Sequence, residues 1–198
     1  MKAPPPVPTA PKYPDFVYPS PVPAAAPQAA AVERGWRFLQ SDDLRNAERE
    51  FSAALKAVPD FVPARTGEGY IALARQDYMR AVDQFELALR GAPTYAPALA
   101  GKGQALLSMN RDADARVAFE AALKADPTLV NLGSRIDVLK FREIQNLIAA
   151  ARQAMNAGRL DEARTAYQRA LEATPDSAVL YRELGMVERR RGDAAAAL

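Results

Sequence analysis

The 198 residues contain no cysteine and no histidine. Their absence excludes disulfides, thiolate nucleophiles, zinc fingers, histidine general bases, Ser-His-Asp triads and HExxH metal sites. An excess of one charge is also lacking. Lys and Arg number 26 against 24 Asp and Glu, a formal net charge of +2, so bulk electrostatics argue for neither nucleic acid nor an anionic membrane surface. No apolar run approaches the ~20 residues that span a bilayer, so no transmembrane segment is expected. The opening Met1-Lys2-Ala3-Pro4-Pro5-Pro6 has a positive residue but no apolar stretch behind it, so it is not an intact secretory signal.

Proline is scarce over most of the chain because ten of its sixteen copies lie at or before residue 27. Proline fixes φ and removes a backbone donor, which excludes helix and central strand there. Residues 1–27 therefore read as an extended, polyproline-like arm. Within it Tyr13, Phe16 and Tyr18 gather three aromatics in six residues. Two readings of the arm stand: a disordered spacer, or a segment that docks Tyr13, Phe16 and Tyr18 as anchors.

From about Ala29 onward apolar residues recur at helical spacing, broken by short turns at 41–43, 76–77, 110–112, 157–159 and 192–193. One pattern occurs four times: Ala47, Phe51, Ala54, Pro59; Ala81, Phe85, Ala88, Pro93; Ala115, Phe119, Ala122, Pro127; Ala163, Tyr167, Ala170, Pro175. The two alanines share a helix face and allow close approach, the aromatic fills the gap, and the proline ends the helix. The first three copies are 34 residues apart, which is the period of a helix–turn–helix repeat.

On these residues the chain resembles the tetratricopeptide repeat (TPR) family. Counting repeats from Gln28, Val62, Ala96, Ile144 and Ala178, the family's small eighth position falls on Gly35, Gly69, Gly103, Ala151 and Gly185. The bulky eleventh position is kept as Phe38 and Leu106 but is Ala72, Ala154 and Glu188 elsewhere. The resemblance implies an all-α fold, a right-handed α-solenoid of TPR helix–turn–helix pairs. Its repeats lie at about 28–61, 62–95, 96–129 and 144–177, with a partial fifth at 178–198, so that the array occupies 28–198 behind the arm.

Two departures from the pattern stand out. The third and fourth copies are 48 residues apart, so fourteen residues, 130–143, are inserted. There Ser134-Arg135-Ile136-Asp137 resembles a capping box after Gly133, and the spacing predicts one long helix over about 135–156, roughly 33 Å in length. Ile136, Val138, Leu139 and Phe141 on that helix could face a second copy or another partner, so an oligomer is compatible with the sequence. The other departure is the end, where the fifth repeat stops within its second helix without a polar cap, as in a piece of a longer array.

No catalytic residue, metal ligand or cofactor is expected. The carboxylates Glu48, Glu50, Asp83, Glu86 and Glu120 lie on amphipathic helices among charged neighbours, which is the pattern of a solvated face. Gly67-Glu68-Gly69 and Gly101-Lys102-Gly103 have no preceding strand and read as small helix contacts, not phosphate loops. Arg189-Arg190-Arg191 is interleaved with Glu183, Glu188 and Asp193, which argues against a nucleic-acid patch.

What the resemblance implies about function is a non-catalytic scaffold for a protein or peptide partner. In the family the concave groove is lined by positions 2, 5, 9 and 12 of each repeat. Here these include Trp36, Leu39, Tyr70, Leu73, Gln104, Leu107, Arg152, Met155, Arg182 and Met186, the set expected to contact an extended peptide. Trp36 and Tyr70 are the expected anchors. Family members that grip the C-terminal tails of Hsp70 or Hsp90 use Lys, Asn and Arg at positions held here by Val32, Trp36, Gly67, Pro97 and Gly101, so such a tail is not the expected ligand. A sharper expectation is that the aromatic arm occupies the groove of its own or a neighbouring molecule until a partner competes. The alternative is a structural spacer or assembly module of the bacterial envelope, because the chain also resembles exported bacterial repeat proteins in which a proline-rich segment follows a lipid-anchored N-terminus. The expected location is cytoplasmic if the chain is complete, and envelope or periplasm if a signal has been removed.

Overall fold

The computed structural model describes residues 13, 14, 17, 18 and 27–192. Among them the chain forms α1 (Pro27–Gln40), α2 (Leu44–Ala57), α3 (Val62–Ala74), α4 (Tyr78–Gly91), α5 (Ala96–Ser108), α6 (Asp112–Ala125), α7 (Asn131–Asn156), α8 (Leu160–Ala173) and α9 (Ala178–Arg191), with no strand among the described residues. The fold is an all-α helical solenoid. It divides into two compact units within α7, between Gly133 and Ser134.

In the first unit α1, α3 and α5 are the leading helices of three repeats, and each packs on its own second helix, α2, α4 or α6. Each of α2 and α4 also packs on the next leading helix, and α1 touches α3 as α3 touches α5. This places the leading helices side by side in one layer and the second helices in another.

The recurring Ala–aromatic–Ala triplets are the core of this stack; every alanine and aromatic in them is buried. Phe51 is held from both sides by glycine. A Cβ on Gly35 would come within 2.6 Å of its ring, and one on Gly67 of the next repeat within 2.4 Å. Gly69 and Gly101 hold Phe85 in the same way, at 2.6 and 2.3 Å. Only a residue without a side chain lets two helices close on one ring at that distance, so the aromatic and its two glycines form one packing unit across a repeat boundary.

The turns inside the repeats share a second device. Asp42, Gln76 and Asn110 have φ of 61°, 63° and 59°, and Gly158 and Gly192 have φ of 74° and 84°. Each of the first four ends its helix in a paired-bond motif, as where the Asp43 amide donates to Phe38 O and the Asp42 amide to Leu39 O, both at 2.9 Å. The helices that follow are capped where the sequence supplies an acceptor: Asp43 accepts from the Asn46 amide at 3.1 Å and Asp77 from the Arg80 amide at 3.2 Å. At the other ends α2, α4, α6 and α8 stop two residues before Pro59, Pro93, Pro127 and Pro175.

Two boundaries differ from the sequence expectation. Helix α1 begins at Pro27 and not at Ala29, since proline is tolerated in the first helical turn, where its missing amide costs nothing. Helix α7 begins at Asn131, so Ser134 lies inside the helix and the expected capping box does not form. Leu132 explains the extension. It lies four and seven residues before Ile136 and Leu139, and all three are buried. Burying a leucine stabilises by about 1.5–3 kcal/mol, more than a cap's ~1 kcal/mol. The helix has 26 residues, roughly 39 Å, and not the expected 33 Å.

In the second unit the later part of α7 joins α8 and α9 around Ala151, Ala154, Ala163, Tyr167, Ala170, Leu180 and Val187. Tyr167 replaces the phenylalanine of earlier repeats, and its hydroxyl donates to Glu183 at 3.4 Å. Glu188, which departs from the apolar eleventh position, is 3% exposed and lies 2.7 Å from both Arg164 and Arg191.

Candidate peptide-binding groove

The first unit holds a connected row of buried aromatic rings between its leading and second helices. Trp36 of α1 lies 5.6 Å from Tyr70 of α3 between ring centroids, and Tyr70 lies 5.0 Å from Phe85 of α4. Trp36 also meets Phe51 at 6.2 Å. All three pairs are edge-to-face, the arrangement that sets the positive ring edge on the negative face. The Tyr70 hydroxyl donates to Pro97 O at 2.7 Å, which ties α3 to the first turn of α5. Burial pushes the Tyr70 phenol well above its usual range, so it remains a donor.

Onto this row comes the arm. Tyr13 is 4% exposed, its ring 5.7 Å from that of Tyr70 and edge-on to it. Its hydroxyl donates to Asp42 Oδ1 at 3.2 Å. Gln40 Nε2 donates to the carbonyl oxygens of Tyr13 and Pro14, at 3.2 and 3.1 Å. Farther along, the Tyr95 hydroxyl donates to Val17 O at 2.6 Å, and the Tyr18 hydroxyl donates to Ala29 O at 3.1 Å and Glu33 Oε1 at 3.2 Å.

These contacts fix the direction of the segment. Tyr13 meets the C-terminal end of α1, at Gln40 and Asp42, and Tyr18 meets its N-terminal end, at Ala29 and Glu33. Five steps at the polyproline rise, the separation of Tyr13 and Tyr18 in sequence, would cover about 16 Å, and Ala29 to Gln40 spans about 16 Å of helix. From Tyr13 to Tyr18 the arm thus runs antiparallel to α1.

Of the residues expected at the groove, Trp36, Leu39 and Tyr70 come together with Tyr13 in one buried cluster, with Leu73 and Tyr18 packed against it. Gln104 and Leu107 are half-buried on α5. Met155 and Met186 are half-buried and Arg152 and Arg182 exposed in the second unit. Phe16 lies outside the described residues. The sequence reading missed Gln40, Asp42 and Tyr95. Tyr95 had a signal: it occupies the place that Phe61 holds one repeat earlier, and the added hydroxyl needs a partner when buried.

With helix pairs repeating at 34 residues around clamped aromatics, the class is a helical-repeat scaffold. A tetratricopeptide repeat model matches residues 32–96 and 66–129, and a second model of that repeat matches 144–187. The chain belongs to the tetratricopeptide repeat family, whose arrays are scaffolds for protein–protein interaction. No curated protein sequence matches it significantly. Among solved structures it is similar to the TPR domain of P58(IPK), with 21% identity and a TM-score of 0.56 over 87% of this chain and 48% of that one. It thus spans about half the length of that relative. PilF of Pseudomonas aeruginosa follows at 14% identity and a TM-score of 0.53, over 86% of this chain and 71% of that one. A tetratricopeptide repeat protein from Parabacteroides merdae matches at 17% identity and 0.50, over 86% and 75%. At these identities the likeness is one of fold. No described helix is long and apolar enough to cross a membrane.

Proposed function

We propose that the face formed by α1, α3 and α5 binds an extended peptide of a partner protein, and that residues 13–18 of this chain act as a tethered stand-in for that peptide. The observation that carries the reading is Tyr13 seated edge-on against Tyr70, with the arm backbone bonded by Gln40 and Tyr95. Main-chain bonds from side chains together with a buried aromatic are what peptide recognition requires. Trp36, Leu39, Tyr70 and Leu73 supply the apolar floor, and Gln104 and Leu107 continue it on α5. An internal segment is the proposed ligand, since Gly67 and Gly101, two positions at which tail-gripping members carry charged or amide clamp residues, are packed by Phe51 and Phe85 and admit no side chain.

A tethered segment competes at an effective concentration in the millimolar range, so a free ligand of micromolar affinity is held off until the arm leaves. The test is a fluorescein-labelled peptide of residues 11–20, titrated into the full chain and into the full chain carrying Tyr13→Ala and Tyr18→Ala. Binding at least tenfold tighter to the variant supports the reading, by the effective-concentration argument. Equal affinity for the two proteins, or binding to neither, contradicts it.

A further inference from the structure

We infer that the groove reads two unmodified tyrosine hydroxyls five residues apart, so that the competing partner presents a segment of the form Tyr-Pro-x-x-x-Tyr running antiparallel to α1. This deepens the proposed function and rests on it.

The inference comes from the polarity of the groups that meet the arm. In the described bonds each tyrosine hydroxyl of the arm donates, Tyr13 to the Asp42 carboxylate and Tyr18 to the Ala29 carbonyl and Glu33 carboxylate. Gln40 Nε2 and the Tyr95 hydroxyl donate to backbone carbonyls of the arm, those of Tyr13, Pro14 and Val17. Side-chain hydroxyls are thus read by acceptors, and the backbone by donors. The separation follows from length, since a shorter spacing would not reach from the C-terminal end of α1 to Ala29. Proline after the first tyrosine fixes φ there and keeps that tyrosine out of the helical region, and its missing amide is no loss where the contact made is to its carbonyl oxygen.

Three kinds of ligand separate under this arrangement. Phenylalanine keeps the ring contact with Tyr70 and loses the hydroxyl bond, a loss of about three- to tenfold in affinity per position. Phosphotyrosine brings close to two negative charges and further acceptors against Asp42 and Glu33, and weakens binding by about a hundredfold. An unmodified tyrosine meets both requirements.

The test uses the full chain with Tyr13→Ala and Tyr18→Ala, whose helicity is first checked by circular dichroism. Three peptides of residues 11–20 are titrated: the native sequence, one with both tyrosines replaced by phenylalanine, and one with both phosphorylated. The expected order is native, then phenylalanine about tenfold or more weaker, then phosphotyrosine weakest. Adding Asp42→Asn and Glu33→Gln to the protein should narrow the gap between phosphorylated and native peptides. Equal binding of the native and phenylalanine peptides, or tightest binding of the phosphorylated one, would overturn the hydroxyl reading while leaving the groove in place. Failure of all three peptides to bind would overturn the groove reading as well.

Discussion

The hydroxyl of Tyr95 donates to the carbonyl oxygen of Val17 at 2.6 Å, joining positions 78 residues apart. It fastens the arm to the residue that precedes α5, whereas Tyr13 and Tyr18 bond to α1 and the turn after it and Tyr13 also meets Tyr70 of α3. Tyr95→Phe keeps the ring and removes this bond. The expected loss is about 1 kcal/mol of arm docking with helicity unchanged, seen as faster chymotryptic cleavage after Phe16, because Tyr13 and Tyr18 each precede a proline that blocks cleavage.

Alkaline pH should release the arm. Burial, reinforced by the Glu33 carboxylate, pushes the Tyr18 phenol up to about 12. A released Tyr18 ionises near 10. The docked value lies above the free one, so the docking contribution is fully present below pH 10 and is lost as pH rises through about 12. Tyr18 remains partly exposed, and solvent screening makes the effect smaller than the shift alone implies. Tyrosinate absorbance with proteolysis of the arm should show the transition in the wild type, and Tyr18→Phe should flatten it.

Glycine has opposite value at two helical positions. Gly67→Ala would push a methyl to 2.4 Å from the Phe51 ring, and overpacking of this kind costs about 1–3 kcal/mol. At Gly133 a methyl would enter open space, with no atom within 4 Å, so Gly133→Ala in α7 should stabilise by about 0.5–1 kcal/mol. Urea denaturation of the two variants reads both signs.

The turn at Gln76 holds a side chain in the left-handed region at φ 63°, where a non-glycine residue costs about 1–2 kcal/mol. Gln76→Gly removes that strain and should raise stability by about 0.5–1 kcal/mol after the added unfolded-state entropy. The reverse change at the equivalent turn, Gly158→Ala at φ 74°, should lower it by about 1 kcal/mol. Thermal unfolding of each variant against wild type compares the two.

The second helices were readable because their information is local and repeated. Ala47, Phe51, Ala54 and Pro59 recur at one period, and burial allows the first three little variation. The start of α7 was not readable, since a local capping signal at Ser134 competes with the burial of Leu132, which depends on tertiary packing. The surface that the arm contacts was half readable. Trp36 and Tyr70 follow from repeat position and Tyr13 from an aromatic out of place in a proline arm. The groups that grip Tyr13, Gln40 and Asp42, lie 27 and 29 residues away and repeat nowhere in a pattern.

Whether the arm lies on its own repeats as proposed can be read from a single ring pair, Tyr13 and Tyr70. In the full chain, nuclear Overhauser contacts between the ring protons of the two residues are predicted, as centroids 5.7 Å apart require, and Tyr13→Ala should shift the Tyr70 resonances. Random-coil shifts for Tyr13 and Tyr18, with no contact to Tyr70, would contradict that docking.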